Sequence, residues 1–147
     1  MTADAFSIES GTYARARPRY PAELYAWILD HCAATDAAWD VATGTGQAAV
    51  ALAECFRRVD ATDLSPQQIA AAEPHPRVFY AVGPAEASGF ADASFDLVAV
   101  AQALHWFDFP RFWREVARVA RPGALFCAWG YDWLTTTPEI DAALVVP

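Results

Sequence analysis

Apolar and polar positions follow two alternating patterns along this chain. Short apolar runs have the length of buried strands, and they cover residues 38–42, 58–62, 78–82, 95–101 and 124–129. The stretches between them have helical spacing of apolar residues, at 21–32, 46–56 and 109–120, with a further helix opening at 65–66. Strands separated by helices predict an α/β fold, in which a doubly wound, mostly parallel sheet carries helices on both faces.

Local signals mark where several of these elements begin and end. Pro21 suits the first turn of a helix, in which Leu24, Trp27 and Ile28 have the spacing of a buried face. The Pro-Gly pair at 122–123 is expected to stop the last helix and to turn the chain back into the fifth strand.

A glycine-containing turn follows the first predicted strand. The segment 38–47, AWDVATGTGQ, passes from the strand through Gly44 and Gly46 into an alanine-rich helix, and the second strand is followed by Asp63. Glycines let the backbone turn tightly and approach a ligand. Asp63 stands 19 residues after Gly44, and a carboxylate at about this spacing along the chain accepts hydrogen bonds from a ribose diol. The sequence therefore predicts a nucleoside-binding crevice at the carboxyl ends of the strands.

The charge of the loop bears on which nucleoside cofactor binds there. Gly44, Gly46 and Ala49 also satisfy the relaxed dinucleotide fingerprint, so a nicotinamide-dependent oxidoreductase stays open as an alternative. Asp40 lies shortly before Gly44, and a carboxylate aimed into the crevice would repel a pyrophosphate. It suits the ammonium group of a methionine moiety, and the pattern thus favours S-adenosylmethionine.

Residues 90–125 add an SFDLV strand, an LHW turn and a helix ending in RVARPGA. With these motifs the chain resembles the class I S-adenosylmethionine-dependent methyltransferases, in particular the type-11 family. The form AQALHWFD and the N-terminal YARARPRYP are most similar to the small-molecule branch that includes trans-aconitate methyltransferases. The resemblance covers residues 6–135 and implies methyl transfer to a small-molecule acceptor, with a carboxylate as one option.

The resemblance implies a set of cofactor-binding residues on the loops that follow the strands. They are Asp40, Ala42, Thr43, Gly44, Gly46, Asp63, Leu64, Ala85, Glu86 and Gln102. Ala42 stands where the first glycine of the family's loop is usual, and we expect an ordinary backbone there because that position need not have a positive φ. In the segment 83–86, GPAE, the carboxylate that would hold the adenine amine is missing.

The resemblance also implies an N-terminal lid beside a substrate pocket. Tyr13 and Arg17 match a Tyr and an Arg-Pro position of that lid, and an arginine there suits an acidic group; a solvated arm is the alternative. His105 and Trp106 of the LHW turn are expected to border the pocket. His105 is the candidate general base, since histidine titrates near pH ~6.5, whereas the alternative is that both side chains only shape the pocket.

Composition and charge exclude several classes of function. A net charge of -8 argues against a nucleic-acid substrate, and the absence of lysine excludes Schiff-base chemistry. We expect no metal site, because the cysteines and histidines lack ligand spacing, and no membrane contact, because no apolar run is long enough to span a bilayer. A cytoplasmic protein is the expectation. The last predicted helix carries an arginine stripe that we interpret as an exposed face, at positions 111, 114, 118 and 121.

Three segments are expected along the chain: an N-terminal arm at 1–20, the cofactor-binding core at 21–135 and a tail at 136–147. The family's fold carries two further strands beside the fifth, and the tail is too short to supply both. The strand at 124–129 is then an apolar edge, which favours self-association or a partner chain. A truncated, non-catalytic cofactor-binding remnant therefore stays open beside the enzyme interpretation.

Overall fold

A computed structural model describes residues 19–131 of the chain. Four α-helices, five strands and one 3-10 turn occupy this range. In chain order they are α1 (Ala22–His31), β1 (Ala37–Val41), α2 (Gln47–Ala53), β2 (Arg58–Asp63), α3 (Pro66–Ala70), β3 (Val78–Val82), β4 (Phe95–Ala101), the 3-10 turn (Leu104–Trp106), α4 (Phe109–Val119) and β5 (Ala120–Trp129). Tyr13 and Arg17, the predicted lid residues, lie outside the described residues.

The strands form one parallel sheet in the order β3-β2-β1-β4-β5. The chain moves outward from β1 to β3 and then crosses back to place β4 on the other side of β1. This reversal is a topological switch point, and ligands of such sheets bind outside the carboxyl ends of the strands that flank it. The predicted doubly wound fold is therefore confirmed.

Helices cover both faces of the sheet, and each face has its own apolar core. On one face, α1 and α2 bury Ile28 and Leu52 against the small side chains Ala38 and Ala99 of the central strands. On the other face, Phe112 and Val116 of α4 pack against larger aromatic and branched residues of the strands, which include Trp39, Val41, Val98 and Val100. No helix in the described range is both long and apolar enough to cross a membrane.

The buried face of α1 differs from the predicted one. Trp27 was expected in the core, but 52% of its surface is exposed, and its ring stacks on His31 with the ring centroids 4.0 Å apart. Ile28 is fully buried and Leu24 packs against the same core as expected, together with Tyr25 and Leu29. The helix α1 is thus rotated about its axis relative to the prediction. Tyr25 lies on the side that faces β5, where its ring meets the edge of the Trp129 ring.

The junction between α4 and β5 also differs from the prediction. The helix ends at Val119, and β5 begins directly at Ala120 rather than at residue 124. Ala120 pairs with Phe95, and the register then shifts before Leu125 pairs with Leu97. The Pro-Gly pair therefore lies in an irregular part of the strand and bends it, instead of forming a separate turn.

A charged cluster joins three segments at the end of the sheet where the parallel strands begin. Asp96 at the start of β4 accepts hydrogen bonds from the backbone N–H groups of Asp36 and Ala37, which lead into β1. Arg121 of β5 lies 3.0 Å from the same carboxylate. Although burial works against the charge, the hydrogen bonds from Ala37 and Arg121 hold the pKa of Asp96 below its usual value.

Candidate functional site

Asp40 lies at the carboxyl end of β1, at the floor of the crevice formed by the switch point. Only 1% of its surface is exposed. One carboxylate oxygen, Oδ2, accepts a hydrogen bond of 2.5 Å from the Thr43 hydroxyl, and the other, Oδ1, has no hydrogen-bond partner among residues 19–131. Burial raises the pKa of Asp40 to about 7, against the effect of the Thr43 hydrogen bond. A buried oxygen without a partner is costly and indicates a place where a ligand donates.

A small cavity opens directly onto this carboxylate. It is lined by the loop after β1, by the first turn of α2, by Ala101 at the end of β4 and by Tyr20. Tyr20 lies just before α1, and its ring meets the edge of Trp129, with the centroids 5.7 Å apart. Tyr20 therefore borders the crevice. The placement of the N-terminal arm as a lid stays a prediction.

The loop between β1 and α2 has a left-handed backbone at three positions. The φ angles are 55° at Ala42, 59° at Gly44 and 86° at Gly46. The expectation that Ala42 needs no positive φ is therefore wrong: this alanine adopts the conformation for which glycine is the usual residue. The strain lies within two residues of Asp40, as is common where the backbone is shaped for a ligand.

The two glycines of the loop are required for different reasons. A Cβ on Gly44 would meet no atom within 4 Å, so the backbone at this position faces open space, as expected for a ligand site. A Cβ on Gly46 would overlap the ring of Tyr80 from β3. Gly46 thus allows close packing of α2 against a side chain that the sequence analysis did not connect with the loop.

Asp63, at the end of β2, already holds the loop in place. Its Oδ2 accepts a hydrogen bond from Gly44 N–H and its Oδ1 accepts one from Ser65 N–H, each at 2.9 Å. Each carboxylate oxygen has two lone pairs, so the side chain can still accept bonds from a ribose diol. Asp63 therefore combines the predicted ligand position with a loop-fixing role that its spacing did not reveal.

The expected adenine side of the crevice combines an exposed apolar residue with a fixed loop. Leu64 follows Asp63 and is 68% exposed, which suits a side chain that packs on a flat apolar ring. Ala85 is buried in the core of the α4 face. Glu86 was expected to contact the cofactor, but one oxygen of its carboxylate accepts a hydrogen bond of 3.0 Å from Asp108 N–H at the start of α4.

The residue after β4 completes the edge of the crevice. Gln102 also has a positive φ, 62°, and its side-chain Nε2 is buried with no hydrogen-bond partner within residues 19–131. Its backbone N–H donates to the carbonyl of Trp129, which joins the ends of β4 and β5. The indole Nε1 of Trp129 is likewise buried and has no partner among the described residues. The carboxyl ends of the strands thus hold two buried donors that are unsatisfied within the described residues, Gln102 Nε2 and Trp129 Nε1, as well as the unsatisfied oxygen of Asp40.

His105 and Trp106 lie on the 3-10 turn that follows Gln102. Both are exposed, Trp106 to 53%, and their ring centroids are 4.5 Å apart. Neither ring lines the cavity at Asp40. Their position on the loop after β4 fits the rim of a substrate pocket, and the predicted roles of His105 as a base and of Trp106 in substrate binding stay predictions.

The pattern that defines the methyltransferase domain family matches residues 39–128 of the chain. The match begins in the strand that carries Asp40 and ends within β5. The chain belongs to the methyltransferase domain family. Methyltransferases of this kind take the methyl group from S-adenosylmethionine, in agreement with the cofactor predicted from Asp40 and Asp63. The narrower resemblance to trans-aconitate methyltransferases stays a prediction.

Relatives of this methyltransferase domain come from distant organisms. A methyltransferase of Dictyostelium discoideum is 38% identical over 143 residues, which is 97% of this chain and 54% of the relative. An uncharacterized methyltransferase of Mycobacterium tuberculosis is 39% identical over 120 residues, 81% of this chain and 49% of the relative. A solved type II methyltransferase from Anaeromyxobacter dehalogenans has a TM-score of 0.79 at 50% identity, covering 87% of this chain and 55% of that one. The chain therefore spans about half the length of the relatives it matches.

The residues of this methyltransferase domain fit the cofactor of the family. The unpartnered oxygen of Asp40 suits an ammonium donor, the open face of Gly44 admits a ligand against the backbone, and Asp63 keeps acceptor capacity for two hydroxyls. Within residues 19–131 no group of three or more His, Cys, Asp or Glu side chains is placed to hold a metal ion.

Proposed function

We propose that the chain is the cofactor-binding and methyl-transferring domain of an S-adenosylmethionine-dependent methyltransferase that acts on a small-molecule acceptor. The observation that carries this proposal is the buried carboxylate of Asp40, whose Oδ1 lies at the floor of the crevice and has no hydrogen-bond partner in the part of the chain that the structure describes. An ammonium group of the cofactor satisfies this oxygen and balances its charge.

The chain's own residues bind and orient in this proposal. S-adenosylmethionine supplies an activated methyl group on a sulfonium, so the protein's main contribution is position. Asp63 accepts from the ribose hydroxyls, Asp40 accepts from the ammonium, and Gly44 leaves room for the ligand against the backbone. Holding reactants in line can lower the barrier by roughly 7 to 11 kcal/mol, which explains how methyl transfer proceeds without a catalytic triad.

The acceptor side of the proposal rests on the rim of the crevice. We assign the acceptor to the rim beside the 3-10 turn that carries His105 and Trp106. From the resemblance to the family we add Tyr13 and Arg17 of the N-terminal segment as acceptor-binding residues. An arginine in that segment favours a carboxylated acceptor, because its planar fork matches a carboxylate. His105 acts as a base only where the acceptor atom must lose a proton before transfer.

A nicotinamide-dependent oxidoreductase is not favoured. The unpartnered carboxylate of Asp40 lies where a dinucleotide would place negative charge, and the family match points to methyl transfer. Calorimetry with S-adenosylmethionine, S-adenosylhomocysteine and NAD⁺ separates the two functions. We expect binding of the first two ligands and none of NAD⁺; binding of NAD⁺ alone would overturn the proposal. A chain that binds the cofactor but transfers no methyl group to any acceptor would support the non-catalytic alternative.

Asp63 provides the sharpest test of the proposed cofactor position. Asp63→Asn should raise the Kd for S-adenosylhomocysteine by about tenfold or more, since a bond to a charged acceptor is worth roughly 1.5 to 3 kcal/mol. Asp60→Asn is the matched control, because Asp60 lies on the same strand but pairs with Arg58 instead of facing the crevice. Equal affinities of the two variants would place the ribose elsewhere.

A further inference from the structure

A buried carboxylate on α4 holds the loop between β3 and β4. Glu115 is only 7% exposed and lies among the apolar residues Phe112, Val116 and Val119 of the helix's buried face. Its Oε1 accepts hydrogen bonds from the backbone N–H of Ser88 at 2.8 Å and from the Ser88 hydroxyl at 2.5 Å. A glutamate at a core position of a helix thus serves a loop rather than the helix itself.

Arg118 completes this attachment one helical turn later. Its guanidinium donates to both oxygens of Glu115, at 3.0 and 2.7 Å, and also to the carbonyl of Phe90 and to Asp92. The hydrogen bonds from Arg118, working against burial, lower the pKa of Glu115 to about 2. The carboxylate is therefore ionised at neutral pH, and its hydrogen bonds to Ser88 are charge-assisted.

The same loop has a second attachment to α4, closer to the crevice. The carboxylate of Glu86 accepts from the N–H of Asp108, the N-cap residue of the helix. Ala85 and Glu86 therefore lie between the strand end at Gly83, whose N–H donates to the carbonyl of Asp63, and the anchored Ser88. Both ends of this short segment are fixed, one to the cofactor-binding strand and one to α4.

We infer that Glu115 is a positioning residue for cofactor binding: through Ser88 it fixes Ala85 and Glu86 as a rigid wall on the adenine side of the crevice. The inference rests on the proposed function, because it takes this loop as the adenine side. Glu115 does not touch the cofactor. It lowers the cost of binding, since a wall that is already ordered loses no conformational entropy when the ligand arrives.

Four variants separate positioning from mere stabilisation. Glu115→Gln keeps the volume but removes the charge, and Ser88→Ala removes the hydroxyl. Ser88→Thr is the conservative rescue because it keeps the hydroxyl. Asp92→Asn is the matched control, since it removes only the exposed partner of Arg118 and leaves the Glu115–Ser88 contact.

Calorimetry with S-adenosylhomocysteine, run well below the thermal midpoint of each protein, gives the deciding numbers. We expect Glu115→Gln to raise the Kd by about tenfold and Ser88→Ala by a smaller factor, with Ser88→Thr and Asp92→Asn within about twofold of wild type. Hydrogen exchange at residues 85–88 should be faster in Glu115→Gln. If Glu115→Gln fails to fold, Ser88→Ala against Ser88→Thr carries the same comparison.

Two results would count against the inference in different ways. A Kd unchanged in both Glu115→Gln and Ser88→Ala, with lower thermal midpoints, would show that Glu115 only stabilises the fold; the proposed function would stand. Wild-type protein that binds no S-adenosylhomocysteine would overturn the proposed function and this inference together.

Discussion

Asp40 links the protonation of the protein to its folding. Burial raises its pKa to about 7 in the folded protein, whereas an unfolded aspartate titrates near ~4. The raised pKa means that the folded state favours the protonated form. Without ligand, the contribution of Asp40 to the free energy of unfolding is therefore fully present below pH ~4. It is lost as the pH rises through the folded-state pKa of about 7.

Cofactor affinity should change with pH in the opposite direction. An ammonium donor requires the ionised carboxylate, so the affinity for S-adenosylhomocysteine should rise from pH ~5.5 and level off above the pKa of about 7. Proton release on binding, measured by calorimetry in buffers of different ionisation enthalpy, should accompany this rise. Asp40→Asn should bind more weakly and with no such release. A wild-type affinity independent of pH would mean that the ammonium does not reach Asp40.

Ala42 offers a test of the strained backbone. An alanine with a left-handed backbone costs about 1 to 2 kcal/mol, and glycine at this position removes that strain. Part of the gain is offset because glycine has more conformational entropy in the unfolded state. Ala42→Gly should therefore stabilise the ligand-free protein by about 1 kcal/mol. Ala51→Gly, inside α2, is the same change in a helix and should destabilise by about 1 kcal/mol. Urea denaturation measures both. Destabilisation by Ala42→Gly would show that the loop has a different backbone in solution.

Several site residues could be predicted because their signal lies in local spacing. Asp40, Gly44 and Asp63 stand at fixed positions relative to two strand ends, and the structure brings them together. The reason for Gly46 could not be found in this way, because Tyr80 meets it from a strand far along the chain. Glu115 was missed for the same reason, since its partner Ser88 is 27 residues away.

At the scale of elements, the loop between β1 and α2 is held from three directions. Gly44 N–H donates to Asp63, Thr43 N–H donates to the carbonyl of Thr62, and the carbonyl of Thr45 accepts from Glu73 N–H. The loop is therefore shaped before any ligand binds. A pre-formed loop implies that substitutions on its open face change affinity more than they change the fold.

Gly44→Val should abolish binding of S-adenosylhomocysteine, because the branched side chain would occupy the open space at this position. A valine at positive φ is also strained, so a control with equal strain is needed. Gly123→Val on β5 provides it, since Gly123 has a φ of 81° and no atom within 4 Å of an added Cβ. We expect both variants to lose stability and only Gly44→Val to lose binding. Retained binding by Gly44→Val would place the ligand away from the loop.

The order and type of the helices and strands could be predicted from the apolar patterns. The first or last residue of some elements could not. The strands β3 and β4 have the predicted bounds, because polar or turn-forming residues stand at both ends of each apolar run: Pro76 and Gly83 for β3, Ser94 and Gln102 for β4. The start of β5 was set four residues too late, because its pairing with Phe95 precedes the Pro-Gly pair. The exposure of Trp27 likewise depends on its stacking with His31, which helical spacing alone does not reveal.

At the scale of the molecule, β5 forms one edge of the described sheet. It pairs with β4 on one side, and among residues 19–131 no strand pairs with its other side. Leu125 and Phe126 are half-buried under the two faces of the sheet, and Ala128 is exposed. An edge with this apolar character favours pairing with another chain.

We therefore expect this chain to self-associate through β5, in a way that light scattering over a concentration series detects. The carbonyl of Trp129 accepts from Gln102, towards β4, so the N–H of the preceding Ala128 points outward. Ala128→Pro removes that outward donor without touching the β4 pairing and should reduce association. A wild-type monomer with a concentration-independent melting temperature would show that other residues of the chain cover this edge.

The two ends of the sheet differ in how well their polar groups are satisfied. At the end where the parallel strands begin, Asp96 is matched by two backbone N–H groups and by Arg121. At the carboxyl ends of the strands, Gln102 has a strained backbone and a buried donor that meets no acceptor in the described part of the chain. For protein engineering this means that the two ends are not equivalent. Substitutions that break the contacts of Asp96 should lower stability and leave recognition unchanged, whereas substitutions that relax Gln102 should stabilise the fold and weaken recognition.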